Sequence, residues 1–314
     1  MPVDRRPPHV AAVHVYPVKS FRGASLAGSR LERQGLRDDR RWMVVDPAGS
    51  VLTARTLPGM LAVTAVARAS GDLVLTAATM PPLHVARPRD GLLVPVSLGR
   101  VGHAVDAGPV AGAWLTTVLG RPARLVWLDD PTRRTVSAEH GGRAGDVLSL
   151  ADTAPLLLTT VASLRRLDRW VADTYAARHA SCGAQAGARP AALSMERFRP
   201  NIVVDGDLEP FEEDGWLTVQ VGGVRLRFAE HTDRCVLTTL DPGTLERGPE
   251  PLRSLSRHRR WDGKVWFGVR LVPVSTGTVA VGDEVSVLEA SSPAVGARRP
   301  LAAPCEALET VAAR

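Results

Sequence analysis

The residues of this chain best suited to chemistry lie in three short stretches. Cys235 sits within 228–242, FAEHTDRCVLTTLDP, where an apolar run gives way to a turn signal. A thiolate is a soft metal ligand and a nucleophile, and either use calls for a neighbouring positive charge, which Arg234 would supply. A second cluster, Arg197-Phe198-Arg199-Pro200-Asn201, stands directly before the apolar run Ile202–Val204 and sets two guanidinium groups and an amide at a strand entrance. A third, Tyr16-Pro17-Val18-Lys19-Ser20, adds an ammonium and a hydroxyl after another apolar run. Guanidinium and ammonium groups on loops suit phosphate-type anions. Singly, each stretch has a plainer reading: a lone cysteine is ordinarily a small buried hydrophobe, and an aspartate such as Asp152 near a proline is ordinarily a turn former.

The elements that must position these groups are mostly strands. Short β-type runs recur at Val10–Val15, Trp42–Val45, Val51–Ala54 and Leu61–Arg68, then at Leu73–Thr76 and about Leu83, Leu92 and Val101, a pattern that predicts a closed or sandwiched sheet. Pro109–Leu119 reads as a helix stopped by Gly120, with Trp114 in the core. After a strand at Arg124–Leu128, the charged, Gly-rich stretch Asp129–Gly145 predicts a mobile loop in which His140 is solvated. Leu156–Thr160 predicts a strand and Val161–Ala177 the best amphipathic helix, packed on the barrel through Leu164, Leu167, Val171 and Tyr175. Arg178–Pro190 predicts a flexible loop. Trp216–Val221 and Val224–Phe228, joined by Gly222-Gly223, predict a hairpin that delivers Cys235. The acidic run Glu209–Asp214 predicts a solvated loop. Phe267–Val274, Thr278–Val281 and Val285–Leu288 complete a second barrel, and Glu289–Arg314 predicts a disordered tail.

Composition narrows the function classes. The 314 residues carry 39 Lys and Arg against 33 Asp and Glu, but the basic residues are scattered among acidic ones and form no stripe, which argues against nucleic acid. All but two of the basic residues are arginine, so Lys19 and Lys264 stand out. Cysteines at 182, 235 and 305 are too widely separated for a disulfide framework or a zinc or iron–sulfur site, and His231 near Cys235 lacks partners for a zinc site. A reducing cytoplasm fits this usage. No run is long enough to span a bilayer, so no membrane is expected.

The strings YPVKS (16–20), DRRWMVVD (39–46), TAR (53–55), ADTAPLLL (151–158), FRPNIVVDG (198–206), DRCVLTTLDP (233–242) and VGDEV (281–285), in this order and spacing, resemble the MOSC family. The resemblance is to members with the N-terminal MOSC β-barrel domain, which include the mitochondrial amidoxime-reducing components and their bacterial relatives. It implies a mainly β fold with a few helices. An N-terminal β-barrel domain would span 8–128, a MOSC β-barrel domain 146–289 and a disordered tail 290–314. It also implies molybdenum-molybdopterin as cofactor, with Cys235 as the protein's sulfur ligand to the metal. Lys19, Ser20, Arg40 and Arg199 match the positions that hold the phosphate, and Asp152, Thr153 and Asn201 those that meet the pterin; Arg234 completes the set beside the thiol.

The implied activity is reduction of small N-hydroxylated compounds by N–O cleavage. Thr232 stands where some relatives have a further cysteine, so no local dithiol is available. Some bacterial relatives continue into a ferredoxin-like domain, whereas only Cys305 lies in the tail here, so a separate electron-donor protein is expected. The other reading is a sulfur-carrying or cofactor-binding module, as at the end of molybdenum cofactor sulfurases, with persulfide on Cys235. Storage of the cofactor without turnover is a third.

Overall fold

The computed structural model describes residues 6–182 and 191–291. Its largest sheet has nine strands. In spatial order eight of them are Val285–Ala290, Trp216–Val221, Val224–Asp233, Lys264–Pro273, Leu156–Thr160, Ile202–Asp205, His9–Val15 and Ala24–Leu26, and the short Arg260–Trp261 pairs alongside Lys264–Pro273. Every pairing is antiparallel except that of Leu156–Thr160 with Ile202–Asp205. Parallel neighbours need a long crossover, and the helix Val161–Cys182 lies between them in the chain. Thr160 starts that helix, its Oγ1 accepting from the Ser163 amide at 3.1 Å. Leu167 and Val171 pack it against Phe198, Leu255 and Phe267.

The hairpin leading to the thiol forms as the Gly-Gly pair predicts. Val221 pairs with Val224, and Gly222 takes a φ of 53°, a left-handed turn conformation open to glycine at little cost. Its second strand runs to Asp233, beyond the expected end at Phe228. It carries irregularities against Lys264–Pro273 between Phe228 and Glu230 and between His231 and Asp233. Bulges of this kind bend a strand and re-aim its side chains, here just before Cys235.

Three smaller sheets complete the molecule. Trp42–Val45, Arg124–Trp127, Gly102–Asp106 and Leu93–Val96 form one, and Thr64–Ala67, Leu73–Ala77 and Met80–Val85 another. The third joins Gly28–Glu32 to Gly35–Leu36 on one side and to Gly277–Ala280 on the other. Phe21, Trp42, Met60, Leu73, Leu75, Leu115 and Leu125 form the core shared by the first two sheets. The helix Pro109–Leu119 packs into that core with Gly120 at φ 66° as its stop; Trp114 is 7% exposed and donates to Pro81 O at 2.9 Å.

Several expectations are corrected. Only Val51 of the expected strand Val51–Ala54 forms a bridge, to Val45, and a turn over 54–56 follows it. Pro58 opens a 3-10 turn through Ala62, so the next strand starts at Thr64. Asp129–Gly145 is held by hydrogen bonds: Arg134 donates to Ser149 O at 2.7 Å, to Ala151 O and to Asp152 O at 2.8 Å. Residues 178–182 of the expected loop continue the helix. The acidic run is solvated only in part: Glu209 and Glu212 are exposed, whereas Glu213 is fully buried and Asp214 pairs with Arg259. The strand expected to end at Leu288 runs to Ala290; the rest of the predicted tail, with Cys305, lies outside the described residues, as does the side chain of Cys182.

The expected domain limits, 8–128 and 146–289, divide hydrogen-bonded strands. His9–Val15 and Ala24–Leu26 belong to the sheet of the second unit, and Gly28–Glu32 pairs with Gly277–Ala280.

Candidate functional site

A cleft of about 480 Å³ is lined by residues from both units, including all nine residues chosen from the sequence: Lys19, Ser20, Arg40, Asp152, Thr153, Arg199, Asn201, Arg234 and Cys235. Nine Lys or Arg side chains line it against two carboxylates, Asp152 and Asp233, so its field favours an anion. Three lining residues hold left-handed backbone: Ser20 at φ 70°, Arg40 at 47° and Arg199 at 56°. Non-glycine residues adopt this conformation at a cost of about 1–2 kcal/mol each, and such strain gathers where side-chain direction matters more than backbone ease.

Arg40 and Arg199 share one aromatic ring. Their guanidinium carbons lie 4.5 and 4.3 Å from the centroid of Tyr16, two cation–π contacts. Burial pushes the Tyr16 phenol up to about 12 despite these two cations, and its hydroxyl donates to Pro200 O at 3.2 Å. Burial, then repulsion from Arg40, lowers Arg199 to about 10. Arg40 donates to Asp39 Oδ2 at 2.6 Å, Asn201 Oδ1 at 2.9 Å and Arg199 O at 3.2 Å. Among the described residues Arg199 donates only to Phe21 O, at 2.7 Å. Of the five N–H donors on each group, Arg199 therefore keeps more for a ligand. Asn201 is 1% exposed, its Oδ1 also accepts from the Leu157 amide at 3.2 Å, and its Nδ2 donates to His14 O at 3.1 Å. That amide braces Arg40.

Lys19 donates to Leu150 O at 3.0 Å and to Asp152, which also pairs with Arg55 at 3.2 Å. Burial lowers the Lys19 ammonium, with Asp152 opposing. Asp152 sits within the protein envelope with 46% of its side chain facing the open cleft. Burial works to raise its carboxyl, but Lys19, Arg270 and Arg55 override this and hold it below the usual carboxylate range.

Cys235 is half-buried, with extended backbone, and its carbonyl accepts from the Thr238 amide at 3.1 Å and hydroxyl at 3.0 Å. Arg197 ties the same loop by donating to Asp241 Oδ2 at 2.6 Å. The charge beside the sulfur comes from Arg234, as expected, and from Arg55 as well. Arg234 turns its guanidinium inward to Phe267 O at 2.9 Å and Phe198 O at 3.2 Å, and burial lowers it to about 9. Arg55, from the first unit, lines the same cleft: burial opposes its charge, yet the charges of Asp152 and then of Cys235 raise it.

Four lining residues escaped the sequence reading. Arg55 stood in the string TAR (53–55) but was given no role. Arg134 fixes the 149–152 backbone. Arg270 donates to Thr153 Oγ1, which itself donates to Glu230. His140, expected in solvent, lines the cleft with Nδ1 2.8 Å from Glu230 Oε2. Among the described residues no cluster of His, Cys, Asp and Glu could hold a metal ion alone. Arg197 Nε, Thr232 Oγ1 and Arg234 Nη2 are buried at the cleft without hydrogen-bond partners.

This barrel, with a thiol at the wall of a cationic cleft, is that of a known class. Family models of the MOSC N-terminal beta barrel domain and of the MOSC domain match residues 8–122 and 145–286, and the chain belongs to the MOSC family. It is 31% identical over 308 residues to mitochondrial amidoxime-reducing component 1 of Homo sapiens, covering 89% of this chain and 82% of the relative. Mitochondrial amidoxime reducing component 2 of Rattus norvegicus is 32% identical over 299 residues, covering 88% and 82%. Molybdenum cofactor sulfurase of Danio rerio is 32% identical over 264 residues, covering 82% of this chain and 31% of the relative. The chain thus spans about a third of that sulfurase's length.

Proposed function

We propose that this chain is a molybdenum-molybdopterin-dependent reductase of small N-hydroxylated compounds, re-reduced by a separate electron-donor protein. One observation carries the reading: a cleft with an excess of fixed cations and unpartnered buried donors has a thiol on its wall. The residues fit the cofactor. An anion bearing phosphate oxygens answers the charge that Lys19, Arg40 and Arg199 concentrate, and a heteroatom-rich ring answers polar groups such as Thr232 Oγ1 and Arg234 Nη2, which lack partners.

Lys19, Ser20, Arg40 and Arg199 would hold the phosphate, with Arg199 the principal donor because most of its N–H groups are uncommitted. Asp152 and Thr153 would meet the pterin, while Asn201 acts through Arg40. Cys235 would give the metal its protein sulfur ligand, and Arg55 sets a charge beside that sulfur. Bound there, the cofactor supplies two-electron oxygen-atom chemistry at the N–O bond. The names of the amidoxime-reducing relatives support the substrate class. The spacing of the cysteines fits a reducing compartment such as the cytoplasm, and among the described residues no helix is long and apolar enough to cross a membrane.

The test is metal and pterin analysis of the purified chain, followed by reduction of benzamidoxime with a chemical electron donor. Stoichiometric molybdenum and turnover are expected. Persulfide on Cys235 with little molybdenum would instead establish the sulfur carrier.

A further inference from the structure

We propose that His140 is the proton donor for N–O cleavage and that Glu230 is its positioning residue, a role that rests on the reductase reading above. The loop holding His140 is built against the strand holding Glu230. Gly141 has φ 72°, and a Cβ there would stand 2.1 Å from Ala229 O. Arg227 donates to Gly141 O at 3.0 Å and to Asp146 Oδ2 at 2.6 Å, clamping both ends of the turn. Only glycine permits this approach, and it brings the His140 ring against Glu230 Oε2 at 2.8 Å.

Glu230 is itself fixed. Its Oε1 accepts from Thr153 and lies 3.5 Å from Arg270 Nε. A carboxylate at Nδ1 keeps the hydrogen on that nitrogen and leaves Nε2 to gain and release a proton, the division of labour in carboxylate–histidine pairs. Among the described residues Nε2 makes no hydrogen bond, and Glu139 Oε1 lies 4.0 Å from it. The groups facing the ring are therefore Glu139 on its own loop and Glu230 on the strand, with Arg270 behind Glu230.

Other lining groups suit the task poorly. Arginine cannot release a proton near neutrality, Lys19 is committed to Leu150 O and Asp152, and Asp152 is held ionised by its cations. Lys264 Nζ lies over the Trp266 ring, 5.6 Å from its centroid. Reduction of an amidoxime consumes two electrons and two protons: the N–O bond breaks, the nitrogen takes up one proton to give the amidine, and the hydroxyl oxygen takes the other and leaves as water. The electrons come from the donor protein through the bound redox group. Here His140 Nε2–H supplies the proton to the departing oxygen, solvent supplies the other, and the open cleft reprotonates the ring.

The experiment compares wild type with His140→Ala and Glu230→Gln as cofactor-loaded full chains, each assayed for molybdenum content and for benzamidoxime reduction by a chemical donor. At equal molybdenum content, His140→Ala lowers kcat about 100-fold, as loss of a general acid does, leaves KM within about threefold, and regains about 10-fold with added imidazole. Glu230→Gln lowers kcat and removes the preference for Nδ1–H, read by nitrogen-15 NMR of the ring in the cofactor-free chain. A kcat within twofold of wild type, or a loss that imidazole does not relieve, overturns the assignment. If the loaded wild type reduces no amidoxime, the reductase reading falls and with it the role of His140 as proton donor. The NMR separates that outcome from failure of the geometry, because a ring without a fixed tautomer overturns the pair whatever the activity.

Discussion

The cleft around Cys235 and the interior around Glu213 both bury unbalanced charge, and they differ in how it can be relieved. At Glu213 the surplus is acidic. Its Oε2 accepts from Thr160 at 3.1 Å and Ser163 at 2.8 Å, Oε1 has no partner, and burial followed by repulsion from Asp214 pushes the carboxyl up to about 7. A carboxylate can shed its charge by taking a proton. At the cleft the surplus is guanidinium, which keeps its proton near neutrality even where burial lowers Arg199 to about 10 and Arg234 to about 9. Buried acid neutralises itself, whereas buried arginine needs an anion from outside.

The largest expected effect removes the thiol. Cys235→Ala folds and keeps its pterin through the arginines and Lys19, yet loses N–O reduction by more than about 1,000-fold, on the order of 4 kcal/mol of barrier. Activity and pterin content measured on one sample check this; retained activity with an intact molybdenum centre sinks the assignment of Cys235.

Next in size is the acid side. A carboxyl raised in the folded state from 4.5 to about 7 contributes stability that is fully present below 4.5 and lost as pH rises through 7. Unfolding free energy therefore falls by on the order of 3 kcal/mol between pH 5 and pH 9 on account of Glu213. Glu213→Gln, which keeps an acceptor for Thr160 and Ser163, flattens that slope in denaturant titrations at several pH values.

Arg199→Met sharpens the contrast from the basic side. Pterin retention falls about 10- to 100-fold, equivalent to about 1.4–2.8 kcal/mol, while the cofactor-free chain melts no lower than wild type because a costly buried charge is gone. A lower Tm would assign Arg199 to the fold. The smallest effect is the control: Arg6→Ala breaks the pair with Asp205, in which Arg6 is 54% exposed, and stability changes by less than about 1 kcal/mol.

The strand pattern and the Gly-Gly hairpin were legible because alternation and turn chemistry are local. So were the nine cleft residues, though through the order of seven strings and not through any single one. Glu213 was misread because its neighbours are acidic, and only the packed structure shows Ser163 and Thr160 waiting for it. Arg134 and Arg270 carried no local signal, since each acts on a segment brought close by the fold, whereas Arg55 stood in the TAR string without an assigned role. His140 was placed in solvent for its glycine neighbours, but Gly141 serves close approach to Ala229, a use of glycine that sequence does not distinguish from looseness.

The pairing of Gly28–Glu32 with Gly277–Ala280 has a consequence for the order of synthesis. The first strands leave the ribosome roughly 250 residues before their partners, and at about 5–20 residues per second they wait about 10–50 s as unpaired edges. The sheet cannot close until Gly277–Ala280 has been translated, so a ribosome stalled anywhere before Gly277 displays an incomplete barrel. Chaperone capture and proteolysis should then fall most heavily on late-stalled chains, in which one strand position remains open.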